Sequence, residues 1–307
     1  MKLLLKLIYL LLSLTLLALF VGFFSFVHPL FDSFSHFCIH LLAMASIFAM
    51  ILLLIAQKKE RLLAFLIIIL SGTYLYLLHQ PLENSTKSIA HDVKFLQFNL
   101  NFRNKNIHKL DAYLQAESID ILSLQEVTNK HRELLQQFKD YPYQSYCNFT
   151  TIGGVALLSK YPFVPNSGQC IEGKGLLWKQ IKIANRVINV ASLHLYWPFP
   201  YNQSKQITTL SKTLKSIPSP KIIAGDFNAV AWSYTLSRIN RLSKTKVVSG
   251  VHYSLNFGDP QSLFYIQLPI DHILLSQDLR SQKIRVAKSL GSDHLPLVSE
   301  IVFDQLN

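Results

Sequence analysis

Three long apolar runs in the first quarter of the chain constrain its fold more than any other feature. They span residues 7–27, 37–56 and 62–78, and none contains Asp, Glu, Lys or Arg. A helix needs about 20 such residues to cross the hydrocarbon of a bilayer. A cleaved signal peptide is the alternative for the first run, but no small-x-small cleavage site follows it and two further runs come later. We therefore predict a membrane region over residues 1–79 with about three transmembrane helices.

Basic residues predict how these helices are oriented. Two lysines precede the first run, and the second connection carries Lys58, Lys59 and Arg61, whereas the first connection has no Lys or Arg. Positive charge stays on the cytoplasmic side of a membrane. Three spans therefore place everything after about His79 outside the cytoplasm, and two spans would keep it inside.

The rest of the chain predicts one α/β domain. Residues 80–91 are polar and without periodicity, which indicates a tether, and residues 92–307 are numerous enough for one large core. Strands are predicted at residues 93–100, 119–127, 155–159, 176–183, 187–195, 222–226, 270–276, 284–287 and 297–303, and helices at 107–114, 130–138 and 204–215. So many strands beside so few helices favour two sheets packed face to face with helices outside.

Charge limits the class of partner. Five of the 30 basic residues and two of the 18 acidic residues precede Gln80, which leaves 25 basic and 16 acidic residues and a net charge of +9. This excess predicts an anionic partner, and nucleic acid, anionic lipid head groups and phosphorylated metabolites all satisfy it. A solvated, lysine-rich surface is the plainer interpretation.

The cysteines leave the redox state open. Cys38 lies in a predicted span, whereas Cys147 and Cys170 lie in the predicted domain. Outside the cell these two can pair if their Cα atoms approach within about 7 Å, and two free thiols are the alternative.

Polar side chains follow several predicted strands at the point where each strand ends. Asn99 and Glu126 fall at the carboxyl ends of two strands joined through a helix, where open α/β sheets place their ligands. Mg²⁺ prefers carboxylate oxygens, so Glu126 is a candidate metal ligand with Asn99 as its uncharged neighbour. A surface carboxylate after a strand is the alternative for Glu126 alone.

The tetrad from Gly225 to Asn228 is the most specific local motif. A buried run ends in glycine, which permits a tight exit, and Asp226 and Asn228 then project on one side at a spacing of two. An Asx turn would explain the same residues. The recurrence of polar residues at other strand ends favours the functional interpretation.

A histidine near the C-terminus stands beside acidic residues. His294 follows Asp293 directly, and Asp271 on another predicted strand can fix the tautomer of the imidazole. The pattern predicts His294 as a base that deprotonates water, with a buried structural histidine as the alternative. His194 ends a further strand and is a candidate donor to a phosphate or leaving oxygen.

Other ring side chains have plainer interpretations. Four histidines have no convergent partners in the pattern and are interpreted as structural, namely His108, His131, His252 and His272. Tyr196, Trp197 and Trp232 follow the motifs and either wall a pocket or fill loop cores.

Taken in this order, the polar residues resemble the endonuclease/exonuclease/phosphatase superfamily, which includes pancreatic deoxyribonuclease, abasic-site endonucleases, neutral sphingomyelinases and inositol-polyphosphate phosphatases. The matching blocks cover nearly all of the predicted domain and are Phe98-Asn99, Leu124-Gln125-Glu126, Ser192-Leu193-His194, Gly225-Asp226-Phe227-Asn228, Ile270-Asp271 and Ser292-Asp293-His294. The resemblance implies an α/β fold, a four-layer α/β/β/α sandwich of two packed mixed sheets behind the helical transmembrane leader. It also implies a Mg²⁺-dependent hydrolase of phosphodiesters or phosphomonoesters, with Mn²⁺ as the second candidate cation.

The resemblance implies a role for each matched residue. Glu126 would hold the metal with the help of Asn99 and Asp293. Asp226 and Asn228 would lie at the water and the phosphate. His294 would act as the base, oriented by Asp271, and His194 as an acid or donor. A histidine at position 194 is similar to the deoxyribonucleases, whereas the abasic endonucleases have a tyrosine there, which disfavours abasic repair.

The helical leader, the Trp-Pro pair after His194 and the segment 229–233 are similar to a membrane-bound bacterial branch that includes the teicoplanin-resistance membrane protein. Ala231 departs from the proline expected in that branch. The resemblance implies a multi-pass protein of the bacterial inner (plasma) membrane, with a catalytic domain outside the cytoplasm that acts on lipid-linked phosphate or pyrophosphate. A nuclease acting outside the cytoplasm on DNA or RNA is the second hypothesis. A non-enzymatic membrane scaffold is the third.

Overall fold

The computed structural model describes residues 2–79, 92–258, 261–262 and 265–304. The predicted tether, residues 80–91, lies outside the described residues. The helices are α1 (Lys2–Gly22), α2 (Pro29–Ser35), α3 (Cys38–Ile55), α4 (Lys58–His79), α5 (Ile107–Glu117), α6 (Asn129–Leu135), α7 (Gln203–Ser216) and α8 (Tyr234–Ser243).

Helices α1, α3 and α4 pack together as a bundle. Each is long and apolar enough to cross a membrane, and Ala45, Ala49 and Ala64 are buried where the helices meet. The helices match the three predicted runs with shifted ends. In particular, α1 ends at Gly22 rather than at Val27, because the chain turns through residues 23–27 before the next helix.

Helix α2 occupies the connection between the first two runs, which the sequence pattern did not predict to be helical. Pro29 stands in its first turn, where the fixed φ of proline suits a helix and its missing N–H costs nothing. The side chain of His28 accepts from Leu30 N at 3.1 Å and caps the helix.

The strands that follow are β1 (Val93–Asn99), β2 (Ile121–Val127), β3 (Tyr143–Thr150), β4 (Gly153–Ser159), β5 (Gln169–Ile171), β6 (Leu176–Ile183), β7 (Arg186–His194), β8 (Lys221–Asp226), β9 (Lys246–Val247), β10 (Leu255–Phe257), β11 (Ile266–Leu268), β12 (Asp271–Leu275), β13 (Leu279–Val286) and β14 (Leu297–Phe303). They form two six-stranded sheets, of order β13-β14-β1-β2-β4-β3 and β5-β6-β7-β8-β12-β9, and a β10-β11 hairpin. In each large sheet one pair is parallel, β1 with β2 and β7 with β8. The sheets are therefore mixed, as predicted.

The two sheets pack face to face, and helices cover their outer faces. Phe95 and Ile121 of the first sheet share a buried cluster with Val190 and Ile222 of the second. Helices α5 and α6 pack on the first sheet, and α7 and α8 pack on the second. The expected arrangement of two packed mixed sheets flanked by helices is confirmed.

Several elements depart from the sequence prediction. Strand β3 was not predicted, because it is an edge strand whose residues are mostly polar or half-buried. Helix α8 was also missed, although Ser233 caps it by accepting from Leu236 N at 3.1 Å. Strand β13 begins at Leu279 rather than at Ile284.

Cys147 on β3 and Cys170 on β5 form a disulfide, with Cα atoms 5.4 Å apart. Both strands are edge strands, one in each large sheet. The bridge therefore joins the two sheets at one side of the sandwich and decides between the two alternatives that the sequence left open.

Candidate active site

The predicted site residues gather at one edge between the two sheets. Asn99 pairs with Gln125 at the end of the parallel pair in the first sheet, and His194 pairs with Asp226 in the second. Strand β12 runs antiparallel to β8 and begins at this edge, so that Asp271 also pairs with Asp226. The topology thus delivers side chains from five strands to one place.

Glu126 is held in a strained backbone conformation. It lies at an irregularity in the pairing of β2 with β4 and has a φ of 54°, a region that residues other than glycine rarely adopt. Gly153 packs directly behind it, since a Cβ at that position would lie 2.6 Å from the Glu126 carbonyl carbon. Strain of this kind clusters at functional sites. Here it turns the half-buried Glu126 carboxylate toward Asn99.

The turn that follows β1 holds two carboxylates. Glu126 accepts from Asn99 Nδ2 at 3.1 Å and from Phe102 N at 2.9 Å. Asp293 accepts from Asn101 Nδ2 at 2.7 Å. Among the residues that the structure describes, no Lys, Arg or His nitrogen forms an ion pair with either carboxylate.

Glu126 and Asp293 have the ligand chemistry that a hard divalent cation prefers. Mg²⁺ and Mn²⁺ take oxygen ligands and keep several waters, and Glu126 and Asp293 both remain accessible. Asn99 has a different orientation, because its Nδ2 faces Glu126 and Asp226 while its Oδ1 accepts from Asn101 N at 2.9 Å. In this structure Asn99 bridges two carboxylates, and its role as a metal ligand stays a prediction.

Asp226 combines both interpretations of the tetrad. Its Oδ1 accepts from Asn228 N at 2.9 Å, which is the Asx turn. Its Oδ2 faces the site and accepts from Asn99 Nδ2 at 2.9 Å. Gly225 is required because a Cβ there would lie 1.7 Å from a carbonyl oxygen of β7. The close approach of β7 and β8 therefore fixes where Asp226 stands.

His294 lies between two buried carboxylates. Its Nδ1 is 2.7 Å from Asp271 Oδ2, and its Nε2 is 3.8 Å from Asp226 Oδ2. The ligand atoms of these three residues lie within 4.8 Å of one another, so they form a second group that could hold a cation. The short contact at Nδ1 pairs His294 with Asp271, which leaves Nε2 facing Asp226.

The charges of this cluster shift the pKa of each member. Burial opposes the protonated form of His294, but the charges of Asp271 and Asp226 outweigh it and raise the pKa of His294 to about 10. Burial, reinforced by the charge of Asp271, raises the pKa of Asp226 to about 7. Burial acts in the same direction on Asp271, but the charge and hydrogen bond of His294 hold the pKa of Asp271 below its usual value. Near pH 7 the proton that His294 and the two carboxylates could share therefore lies on His294.

His194 approaches the same oxygen of Asp226 from β7, with its Nε2 at 3.5 Å. Burial and the charge of His294 lower the pKa of His194 to about 3, so the ring is neutral near pH 7. Two buried polar atoms of the site, His194 Nδ1 and Asn228 Oδ1, have no hydrogen-bond partner among the described residues. Such atoms are groups that a bound molecule can satisfy.

Two residues that the sequence analysis missed hold Asp271 in place. Gln97 Nε2 donates to Asp271 Oδ1 at 2.7 Å across the gap between the sheets. The hydroxyl of Ser254 accepts from Asp271 N at 3.2 Å. The signal for Gln97 was present in the sequence, because Gln97 and Asn99 alternate along a buried strand and share one face.

Helix α2 docks on the loop that follows the tetrad, which the sequence analysis also missed. The two carboxylate oxygens of Asp32 accept from Tyr234 N at 2.8 Å and Thr235 N at 2.9 Å. Asp32 is buried in this contact and caps the N-terminus of α8.

A second set of contacts joins α2 to the tetrad itself. His36, which follows the helix, is buried and has its Nε2 3.1 Å from Asn228 O. Trp232 Nε1 donates to Ser35 O at 2.8 Å. The connection between the first two apolar helices is thus packed against the candidate catalytic loop.

The remaining predicted ring residues have mixed positions. His131 supports the strained segment, with its Nδ1 3.3 Å from Glu126 O. Two others contact backbone oxygens: His272 Nε2 is 2.8 Å from Ala229 O, and His252 Nε2 is 3.0 Å from Ser249 O. His108 is exposed on α5. Tyr196 packs on Phe149 with ring centroids 4.9 Å apart, Trp197 is exposed, and Trp232 is half-buried against α2.

A basic pocket adjoins Glu126. Arg103, Lys105 and Lys130 line a cavity of about 580 Å³. The same cavity is lined by Phe102, whose backbone nitrogen donates to the Glu126 carboxylate. This basic pocket is therefore joined to the Glu126 carboxylate through Phe102.

Solved structures show the same fold. The chain aligns with D. rerio TDP2 complexed with single strand DNA product at a TM-score of 0.56 and 14% identity, over 68% of this chain and 98% of that one. An endonuclease/exonuclease/phosphatase from Bacteroides vulgatus aligns at a TM-score of 0.56 and 14% identity, over 69% and 99%. A family protein from Leptotrichia buccalis aligns at 0.54 and 16%, over 69% and 100%.

Sequence comparison finds relatives with a higher identity than these structures, but each matches only part of the chain. The UPF0294 protein VV2535 of Vibrio vulnificus is 30% identical over 112 residues, which cover 36% of this chain and 37% of that protein. The UPF0294 protein VP2298 of Vibrio parahaemolyticus is 28% identical over 130 residues, 41% and 44% of the two proteins. The chain thus spans less than half the length of the relatives it matches.

A family model described as the Endonuclease/Exonuclease/phosphatase family matches residues 96–294. This match extends from β1 to His294 and includes every site residue predicted from the sequence. The chain therefore belongs to the endonuclease/exonuclease/phosphatase family, whose members are metal-dependent hydrolases of phosphate esters.

Proposed function

We propose that the chain is a membrane-tethered phosphoesterase that hydrolyses phosphodiester, phosphate or pyrophosphate bonds of lipid-linked envelope substrates with Mg²⁺ or Mn²⁺. The observation that carries this proposal is the convergence on Asp226 Oδ2. That oxygen has Asn99 Nδ2 at 2.9 Å, His194 Nε2 at 3.5 Å and His294 Nε2 at 3.8 Å. A carboxylate, two imidazoles and an amide around one point can move a proton and stabilise charge on a phosphate.

Glu126 and Asp293 would hold the cation. Hydrogen bonds from Phe102 N and Asn101 Nδ2 keep the two carboxylates in place, and Asn99 fixes Glu126 relative to Asp226. When bound, the cation neutralises negative charge on an oxygen of the substrate phosphate.

His294 would take a proton from the attacking water in its neutral form. Its pKa of about 10 keeps the ring protonated near pH 7 when no cation is bound, and the positive charge of a bound cation would lower that pKa. Asp271 accepts the hydrogen bond from Nδ1, which leaves Nε2 as the atom that receives the proton. Asp226 stands beside Nε2, and the unpaired Oδ1 of Asn228 is suited to accept from the same water. Attack on phosphorus is then in line with the bond to the leaving oxygen.

His194 would stabilise the charge that develops on the phosphate or the leaving oxygen. Because its pKa is lowered to about 3, its ring is neutral and acts as a hydrogen-bond donor rather than as a positive charge. The packing of Phe149, with ring centroids 5.3 Å apart, restricts its orientation.

The lipid-linked part of the proposal is supported by how the helix bundle meets the site. The loop after His194 carries the exposed side chains Trp197, Phe199 and Tyr201. Phe199 packs on His28 at the end of the bundle, with ring centroids 5.6 Å apart. Aromatic side chains concentrate at the bilayer interface, so the site would open near the lipid head groups.

We also propose the membrane topology expected from the sequence, with a membrane region of residues 1–79, a tether of residues 80–91 and a catalytic domain of residues 92–307. The domain would face outside the cytoplasm of a bacterial inner membrane on a multi-pass anchor. The connection around Asp32 contacts the domain, whereas the basic connection at Lys58 lies a helix length away. The disulfide of Cys147 with Cys170 suits an oxidising compartment.

The test uses the full chain in lipid nanodiscs with Mg²⁺ and measures product release from undecaprenyl pyrophosphate, sphingomyelin and plasmid DNA. We expect turnover of a lipid substrate that is lost with a chelator and in Glu126→Ala and His294→Ala. Glu133→Ala and His108→Ala, at exposed positions, are the matched controls and should keep the wild-type rate. Turnover of none of the lipids, or equal rates in both pairs of variants, would contradict the proposal.

A nuclease is the second candidate, because the pocket of Arg103, Lys105 and Lys130 adjoins Glu126. Binding that neutralises several nucleic acid phosphates weakens steeply as the salt concentration rises. Degradation of plasmid DNA with an affinity that collapses between low and physiological salt would favour this function. The third hypothesis, a non-enzymatic scaffold, expects no turnover of any of the three substrates.

A further inference from the structure

An apolar cavity of about 490 Å³ lies between the helices of the bundle and opens to its surface, at the end that contacts the catalytic domain. Its wall is formed by the second half of α1, by α2, by the start of α3 and by the second half of α4. Its volume lies within the range of about 300–1,000 Å³ that ligand pockets have. Small residues, namely Gly22, Cys38 and Ser71, keep it open.

Trp232 joins this cavity to the candidate catalytic site. Among the described residues it is the one lining residue that comes from the catalytic domain. Its Nε1 donates to the backbone of Ser35, which also lines the cavity. The next residue, His36, is 3.1 Å from Asn228 O. Hydrogen bonds at Ser35 and His36 therefore connect the cavity wall to the tetrad loop.

The chemistry of the lining selects the class of ligand. No Asp, Glu, Lys, Arg or His belongs to the lining among the residues that the structure describes. A charged or strongly polar ligand would lose its hydration there without a partner. A hydrocarbon chain instead passes from one apolar environment to another and gains packing contacts.

We propose that this space, the tail cavity, binds one hydrocarbon chain of the lipid whose phosphate group the site hydrolyses. The identity of that phosphate group rests on the proposed function, whereas the binding of the chain does not. With its tail anchored beside Trp232, the lipid presents its head group on the side of the cavity where α2 meets the tetrad loop. The cavity is thus the determinant of specificity for long-chain substrates.

Binding can be measured without turnover by fluorescence quenching. The chain has three tryptophans, at positions 178, 197 and 232. Trp178→Phe with Trp197→Phe leaves Trp232 as the single reporter, and Glu126→Ala without divalent cation prevents hydrolysis. The probe is lysophosphatidic acid with a dibrominated acyl chain, compared with its unbrominated form, in detergent micelles of the full chain.

A pair of neighbouring substitutions separates the cavity from the outer surface of the same helix. Ser71→Leu adds a side chain into the cavity, whereas Gly72→Leu points outward, because a Cβ at Gly72 has no atom within 4 Å. Cys38→Phe fills the cavity from another helix, and a thermal unfolding scan of each variant excludes loss of the fold.

We expect saturable quenching of Trp232 by the brominated lipid. Ser71→Leu and Cys38→Phe should weaken the affinity at least about tenfold, since each displaces several buried methylene groups, and Gly72→Leu should not change it. Equal quenching in all folded variants, or none beyond that of the unbrominated lipid, would overturn the proposal.

Turnover then tells the two proposals apart. In the otherwise wild-type chain, Ser71→Leu should lower kcat/KM for a long-chain phospholipid or polyprenyl phosphate and leave a short-chain soluble phosphate ester unchanged. Comparison of the acyl and polyprenyl arms identifies the kind of chain. Quenching that depends on Ser71 without hydrolysis of any ester would contradict the proposed function and leave the tail cavity standing.

Discussion

His36 Nε2 lies 3.1 Å from the backbone oxygen of Asn228, although 192 residues separate the two in the chain. The contact joins the connection between the first two apolar helices to the loop that carries the tetrad. Asp32 strengthens the junction by capping helix α8. The connection between α1 and α3 therefore supports the candidate catalytic loop directly, and a chain from residue 92 onward would lack that support.

Asp32→Ala tests this junction. The substitution removes both acceptors from the first turn of α8, and losing a helix cap costs about 1–2 kcal/mol. We expect a lower Tm of the full chain and faster hydrogen exchange of residues 232–237. Leu30→Ala, at an exposed position on α2, is the control. Unchanged exchange in Asp32→Ala would show that the docked segment does not hold the loop.

Asp271→Asn tests the charge that acts on His294. The pKa of His294 is raised to about 10 from an ordinary value of 6.5, and Asp271 makes the largest favourable contribution. Removing this charge should lower the pKa of His294, which an NMR titration of the imidazole measures directly. Asp293→Asn, at an exposed neighbour, should cause a smaller shift.

The same shift predicts how stability depends on pH. The folded protein binds the His294 proton more tightly than the unfolded chain does. The ion pair of His294 with Asp271 therefore stabilises the fold fully below about pH 6.5, and this stabilisation is lost as the pH rises through about 10. The free energy of unfolding of the wild type should fall between these values more than that of Asp271→Asn. An equal fall in the two proteins would contradict the assignment.

The sequence predicted those parts of the fold that rest on local patterns. Buried runs that end in polar residues, such as Ile222–Asp226 on β8, indicated both the strand and the site. Strand β3 was not predicted, because an edge strand needs no continuous apolar run. Gln97 was readable from its spacing to Asn99 and was overlooked.

The remaining parts of the site depend on long-range contacts that no local pattern carries. Asp32 meets α8 about 200 residues away in the chain, and nothing beside Asp32 in the sequence indicates that partner. The orientation of Asn99, whose amide nitrogen faces two carboxylates, likewise depends on where Asp226 stands in the other sheet. Residue types indicated the chemistry, and packing decided the geometry.

Replacing Cys147 and Cys170 by serine tests the link between the two sheets. The bridge closes a loop of 23 residues in sequence separation, and loops of that size contribute about 3 kcal/mol through the entropy of the unfolded chain. We expect a lower Tm for the double variant and for the wild type under reducing conditions. A reductant should not change the Tm of the double variant; a wild type equally insensitive to reductant would show that the bridge is absent.

Arg103→Ala combined with Lys130→Ala tests the basic pocket beside Glu126. For a lipid phosphate we expect a higher KM with little change in kcat, because these side chains line a neighbouring pocket, would bind the substrate phosphate and lie outside the reacting cluster. For DNA, each lost phosphate contact lowers the slope of log affinity against log salt by about 1. Lys212→Ala, exposed on α7, is the control, and a KM equal to that of the control would remove the pocket from the account.

Cation binding measured separately from turnover tests the central assignment most directly. Mn²⁺ titrations of the full chain, followed by electron paramagnetic resonance, can be compared for the wild type, Glu126→Gln, His294→Ala and the control Glu133→Gln. We expect Glu126→Gln to weaken Mn²⁺ binding more than about 100-fold and to abolish turnover, whereas His294→Ala should abolish turnover and keep the cation at Glu126. A folded Glu126→Gln variant that binds Mn²⁺ as tightly as the wild type and still hydrolyses substrate would contradict this assignment.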